Sequence, residues 1–170
     1  KIVYEPTIFG STKPKDADVV VLDPENGPLV IVGIRSQMSS IGNNVLTYYE
    51  GIVGECISLQ DRFPMAVHGY VYLHPLKPIK IGKEEERVDH VRYAKMYEAI
   101  TERHPAFYRN QRGVFDVFAY MIVDFSKQPP VLRDDILASA ELEKDLRLDS
   151  FIETVISRLK KRDRGFDLFI

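Results

Sequence analysis

Residues 16–37 read DADVVVLDPENGPLVIVGIRSQ. Two runs rich in β-branched residues, ADVVVLD and PLVIVGIRSQ, flank Pro24-Glu25-Asn26-Gly27-Pro28. Asn-Gly is the pair best suited to a tight turn whose central residues need positive φ, so residues 18–37 are predicted to form a β-hairpin. The second run is apolar almost throughout and then ends in Gly33-Ile34-Arg35-Ser36-Gln37, where a glycine and a cation break the strand's own pattern. That break is where chemistry is sought.

Outward from the hairpin, the loop SSIGNN offers Asn43 or Asn44 as an N-cap, and Val45, Leu46, Tyr49, Val53, Ile57 and Leu59 recur at roughly helical spacing as far as Pro64. MAVHGYVYLHP (65–75) then reads as a strand, EEERVDHVRYAKMYEAITERH (84–104) as a helix stopped at Pro105, and FDVFAYMIVDF (115–125) as another strand. Leu148, Phe151, Ile152, Val155, Ile156 and Leu159 form the apolar stripe of a last helix, followed by Lys160, Lys161 and Arg162. The fold class expected from this order is α/β (α+β), with a central mixed β-sheet flanked by helices.

With 170 residues, 45% of them hydrophobic, the chain has the size of a single domain spanning 1–170 and can bury a substantial core. It begins at Lys1 and ends on FDLFI, which leaves open whether it is a piece of a longer protein. It contains no apolar run of about 18 residues and its first residues lack the pattern of a secretory signal, so no membrane association is expected. Cys56 has no partner for an internal disulfide, which makes a reducing cytoplasm the expected compartment. A net charge of −2 argues against nucleic-acid binding by bulk charge, while leaving room for a local basic patch.

Three residues stand out against this background. Asp18 opens the first strand of the hairpin, where the plain account is a solvated strand start. Arg35 shares a strand face with Gly33 and Gln37 and needs a partner, which Asp16, Asp18 or Asp23 could supply as a simple ion pair. Glu50 falls among Leu46, Val53 and Ile57, so the helical projection places its carboxylate toward the core, whereas Glu55 lies off that stripe and reads as an ordinary surface acid. A buried triad of Asp18, Arg35 and Glu50 would add little net stability, which invites a functional account.

The order of Asp18, the strand pair, Gly33-Ile34-Arg35 and a helix directly after resembles the catalytic core of the PD-(D/E)XK nuclease superfamily, which includes most type II restriction endonucleases. Pro14-Lys15-Asp16-Ala17-Asp18 provides the proline and aspartates of that signature, with Asp18 the better match and Asp16 the fallback. Gly33 stands where the family has its second acid and Arg35 where it has its lysine. In one branch the second acid has migrated to the following helix, and Glu50, fifteen residues after Arg35, suits that role. The resemblance covers about residues 14–74.

It implies a Mg²⁺-dependent endodeoxyribonuclease acting on double-stranded DNA as a homodimer, with Asp18 and Glu50 holding the metal and Arg35 in the catalytic set. Mg²⁺ prefers one or two carboxylates and leaves the rest of its shell to water and phosphate. Arg35 can stabilise charge but, with a pKa above about 12, cannot serve as a general base. DNA contacts are expected from Gln37, Ser39, Ser40 and Asn43, beside the site, and from Arg109 and Arg112 in a basic-aromatic loop. Each also has a plain structural account, as a loop, a cap or a solvated connector. His68 and His74 lie on one strand face, but no third ligand supports a zinc site. The alternative function is a catalytically degenerate DNA-binding or assembly module of a larger protein. A third reading is a structural domain built around the ion triad.

Overall fold

The computed structural model describes residues 1–11, 13–78, 87–102 and 114–162. The expected hairpin is present, and three short strands precede it: β1 (Ile2–Tyr4), β2 (Thr7–Phe9) and β3 (Pro14–Asp16). They are followed by β4 (Val19–Asp23), β5 (Gly27–Ser36), α1 (Ile41–Arg62) and β6 (Val67–Pro75). The chain continues with α2 (His90–Ala99), β7 (Val117–Asp124), β8 (Val131–Leu132), α3 (Asp134–Ser139) and α4 (Leu148–Arg162). Gly27, at the hairpin turn, has φ 79°, the left-handed conformation for which glycine carries no Cβ penalty.

Six strands form one mixed sheet in the order β1-β4-β5-β6-β7-β8, and β2 and β3 form a separate two-stranded hairpin. The junctions β5–β6 and β6–β7 are parallel, and those at either side of them are antiparallel. Each parallel junction spans a crossover, the first made by α1 and the second containing α2, as parallel neighbours require. This is the α/β class read from the sequence.

Helices cover both faces of the sheet. On one, Tyr70, Tyr72, Phe118, Tyr120 and Ile122 pack with Ile41, Val45, Ile52 and Cys56 of α1, Tyr93 and Tyr97 of α2 and Leu137 of α3. On the other, Val30, Val32, Val67, Val71, Val117 and Ala119 meet Phe151 of α4. Gly69 is required at that contact, because a Cβ there would lie 2.8 Å from the Phe151 ring. A smaller cluster joins Ile8 and Ala17 of the N-terminal segment to Val20, Ile31 and Leu59.

α4 is fastened at its far end as well. Asp116, fully buried just before β7, accepts from the His68 backbone N–H at 2.8 Å and pairs through both carboxylate oxygens with the Arg162 guanidinium. Arg162 also donates to the Ala66 carbonyl at 2.6 Å. The basic end of the last helix is therefore partly an internal fastening.

Candidate active site

The helix face that the sequence suggested for α1 is turned relative to the real one. Its buried residues are Ile41, Val45, Ile52, Cys56, Ser58 and Leu59, while Leu46 and Ile57 are 52% and 48% exposed. Glu50 is consequently exposed on the solvent side, not directed toward the core. Glu55 sits at the flank of the buried stripe and lines the cavity between α1 and the hairpin. The expectation was misled by the large side chains: Leu46 and Ile57 drew the stripe toward themselves, while the small Cys56 and Ser58 mark the face that packs.

The cavity has a volume of about 360 Å³. Six charged residues line it: Lys13 just before β3, Lys15 and Asp16 on β3, Asp18 just before β4, Arg35 near the end of β5 and Glu55 on α1. The antiparallel pairing of Val19 with Val32 carries Asp18 alongside Gly33 and Ile34, and its Oδ2 accepts from the Ile34 backbone N–H at 2.6 Å. That bond holds the carboxylate in place and leaves Oδ1 without a hydrogen bond among the described residues. Lys15 Nζ lies 3.2 Å from Glu55 Oε1, with its side chain only 14% exposed.

Arg35 is partly buried, and its guanidinium stacks over the Tyr48 ring of α1 at 4.8 Å from the centroid. Among the described residues it forms no ion pair with Asp16, Asp18, Asp23 or Glu50, so the predicted buried triad does not form. A cation held by an aromatic face in this way keeps its hydrogen-bond donors available.

Gly33 has a direct explanation. It pairs with Tyr70 across the parallel β5–β6 junction, and a Cβ on Gly33 would lie 2.5 Å from Cε2 of that tyrosine. The ring occupies the space in which a strand acid would begin.

The residues expected to touch DNA divide three ways. Gln37 is buried, with its Oε1 accepting from the Tyr72 hydroxyl at 2.8 Å and its Nε2 donating to the Ser40 carbonyl at 3.2 Å, so the amide is engaged inside the fold. Ser39 and Asn43 are exposed, and Ser40 is the N-cap residue of α1, with φ 52° and no side-chain capping bond. The cap is thus Ser40, ahead of the asparagines suggested by the sequence. Arg109 and Arg112 lie outside the described residues.

His68 and His74 belong to different environments. His68 Nε2 is 3.1 Å from the Phe63 carbonyl near the start of β6. His74, at the other end of the strand, has Nδ1 2.9 Å from the Tyr120 hydroxyl, which is itself 2.7 Å from His90 Nδ1. His90 Nε2 faces the Leu76 carbonyl at 3.1 Å and must donate to it. The tautomers follow in turn: neutral His90 accepts from Tyr120, and Tyr120 accepts from His74. His74 Nε2 is left as a buried acceptor without a partner.

A second cavity, of about 990 Å³, lies beyond the carboxyl end of β6 beside Leu76 and His90. It lacks the paired carboxylates of the first. Among the described residues no helix is long and apolar enough to cross a membrane.

Asp18 and Glu55 suit a hard divalent cation, since both offer carboxylate oxygens and one Asp18 oxygen is open. Among the described residues no group of three His, Cys, Asp or Glu side chains is placed to hold a metal. Comparison with known proteins returns no match to this chain, whether among family models, curated proteins or solved structures.

Proposed function

We propose that the protein is a Mg²⁺-dependent endodeoxyribonuclease of the restriction type, hydrolysing phosphodiester bonds of duplex DNA in the cavity between α1 and the β4–β5 hairpin. The observation that carries this reading is the convergence of Lys15, Asp18, Arg35 and Glu55 on that cavity from separate elements. Two carboxylates for a cation and two cations for a phosphate are what this hydrolysis needs. In this reading the acid on the helix is Glu55 in place of Glu50, five residues further along α1, because Glu55 lines the cavity.

Asp18 and Glu55 would hold Mg²⁺, which supplies polarisation of the phosphate and a more acidic water. Arg35, held by Tyr48, stabilises the negative charge that accumulates on the phosphate oxygens. Lys15 neutralises Glu55 in the free protein and provides a second cation at the cavity wall. The buried Cys56, in no disulfide, suits the reducing cytoplasm in which such an enzyme would act, and cutting both strands would call for a homodimer.

A second reading, a DNA-binding or assembly module with a degenerate site, is favoured by one observation: the Tyr70 ring fills the place of the strand acid. A plasmid-cleavage assay with Mg²⁺, beside thermal melts in Ca²⁺, separates the two. The enzyme reading expects nicking or linearisation, a Ca²⁺-dependent rise in melting temperature, and loss of both in Asp18→Asn with Glu55→Gln. Duplex binding without cleavage in any divalent metal supports the module.

A further inference from the structure

Tyr70 lines the cavity, and its hydroxyl has no role in the nuclease reading above. Its ring is fixed on several sides, lying 5.3 Å from the Phe115 ring and stacked on Phe118 at 5.6 Å, with its edge against Gly33. The residue is 7% exposed, yet its hydroxyl has no hydrogen-bond partner among the described residues. Among the described residues the sealed, unpartnered side-chain atoms are His74 Nε2 and Tyr97 Oη; Tyr70 Oη is not one of them, and Tyr70 lines the cavity. A buried tyrosine normally finds a partner for its hydroxyl, so one that opens into a cavity without one is placed for a ligand.

The surroundings indicate which ligand. The charged groups that act on the phenol are Arg35, Glu55 and Asp18, the same groups that define the site. Burial pushes the phenol well above its ordinary range, with Arg35 opposing that shift and Glu55 and Asp18 adding to it. The group is therefore a neutral donor throughout the working pH range, suited to an anionic oxygen and unsuited to proton abstraction.

Resting on the nuclease reading, we infer that the Tyr70 hydroxyl donates a hydrogen bond to a non-bridging oxygen of the scissile phosphodiester. It thereby positions the phosphate from the wall where the strand acid is missing. No proton is transferred and no bond to Tyr70 is made. The rigid ring places the donor before substrate arrives, which is the condition under which such a contact contributes most.

Tyr70→Phe tests this, because it keeps the ring against Gly33 and removes a hydroxyl that bonds nothing else described. The melting temperature and its Ca²⁺-dependent rise should match wild type. Affinity for duplex DNA in Ca²⁺, without cleavage, should fall about tenfold, and Mg²⁺-dependent cleavage by about 10- to 100-fold, the range for a hydrogen bond to a charged group. The affinity loss should be equal for duplexes of unrelated sequence, since phosphate contacts carry no base information. Wild-type affinity and cleavage in Tyr70→Phe overturn the inference while leaving the nuclease reading in place. Loss of the Ca²⁺-dependent rise also overturns it, by assigning the hydroxyl to the metal shell. A wild-type protein that neither cuts nor binds duplex DNA removes the nuclease reading, and this inference with it.

Discussion

Glu50 and Glu55 differ by five positions on one helix and by everything in their surroundings. Glu50→Gln, at an exposed site, should leave stability within about 0.5 kcal/mol and cleavage unchanged, whereas Glu55→Gln should abolish both cleavage and the Ca²⁺-dependent melting shift. Parallel melts and plasmid assays on the two variants check this. Arg35→Ala should cost only about 0.5–1 kcal/mol in chemical denaturation, the worth of its stacking on Tyr48, since no acid is stranded by its removal; a loss of 3 kcal/mol or more would restore the buried ion pair. Gly33→Ala forces a methyl into the Tyr70 ring and should destabilise by about 1–3 kcal/mol. Asp18 and Arg35, which line the cavity, were singled out in the sequence because each breaks a strand pattern. Glu55 and Tyr70 were not, because their placement on the cavity depends on helix rotation and on a cross-strand neighbour, neither of which a single sequence states.

Among the elements, the long ones were legible and the short ones were not. The hairpin, β6, β7, α1 and α4 carry enough periodic residues to announce themselves. β1, β2 and β3, of three residues each, and β8, of two, are too short for any alternation to register. Yet β3 delivers Lys15 and Asp16 to the cavity, so an element invisible in the sequence supplies two of its six charged residues. The basic end of α4 admits an explanation by helix-end electrostatics, and that account misses Arg162's partner. Arg162→Ala leaves the fully buried Asp116 carboxylate without its cation and should cost about 3–5 kcal/mol, measurable as a lower denaturant midpoint. Replacing Lys160 or Lys161 should cost far less, and equal losses at all three positions would point back to a simple end effect.

For the molecule as a whole, two buried histidines, His74 on β6 and His90 on α2, should weaken the fold in acid. Burial, then the neighbouring His90, lowers His74 from 6.5 to about 3, and burial lowers His90 as well. The unfolded chain therefore binds more protons than the folded one as pH falls below 6.5, and the stability present above that value is lost progressively toward pH 3. The slope is about 1.4 kcal/mol per pH unit for each histidine held neutral. A series of melts from pH 7 to 4 should show it, and His74→Phe should flatten it. The two ends of α4 carry a separate consequence for motion. With Phe151 seated on Gly69 at one end and Arg162 bound to Asp116 at the other, the helix has no loose end from which to unravel. Its backbone amides should exchange with deuterium through one shared opening, at a common free energy, and Arg162→Ala should replace that plateau by a gradient that starts at the carboxyl end.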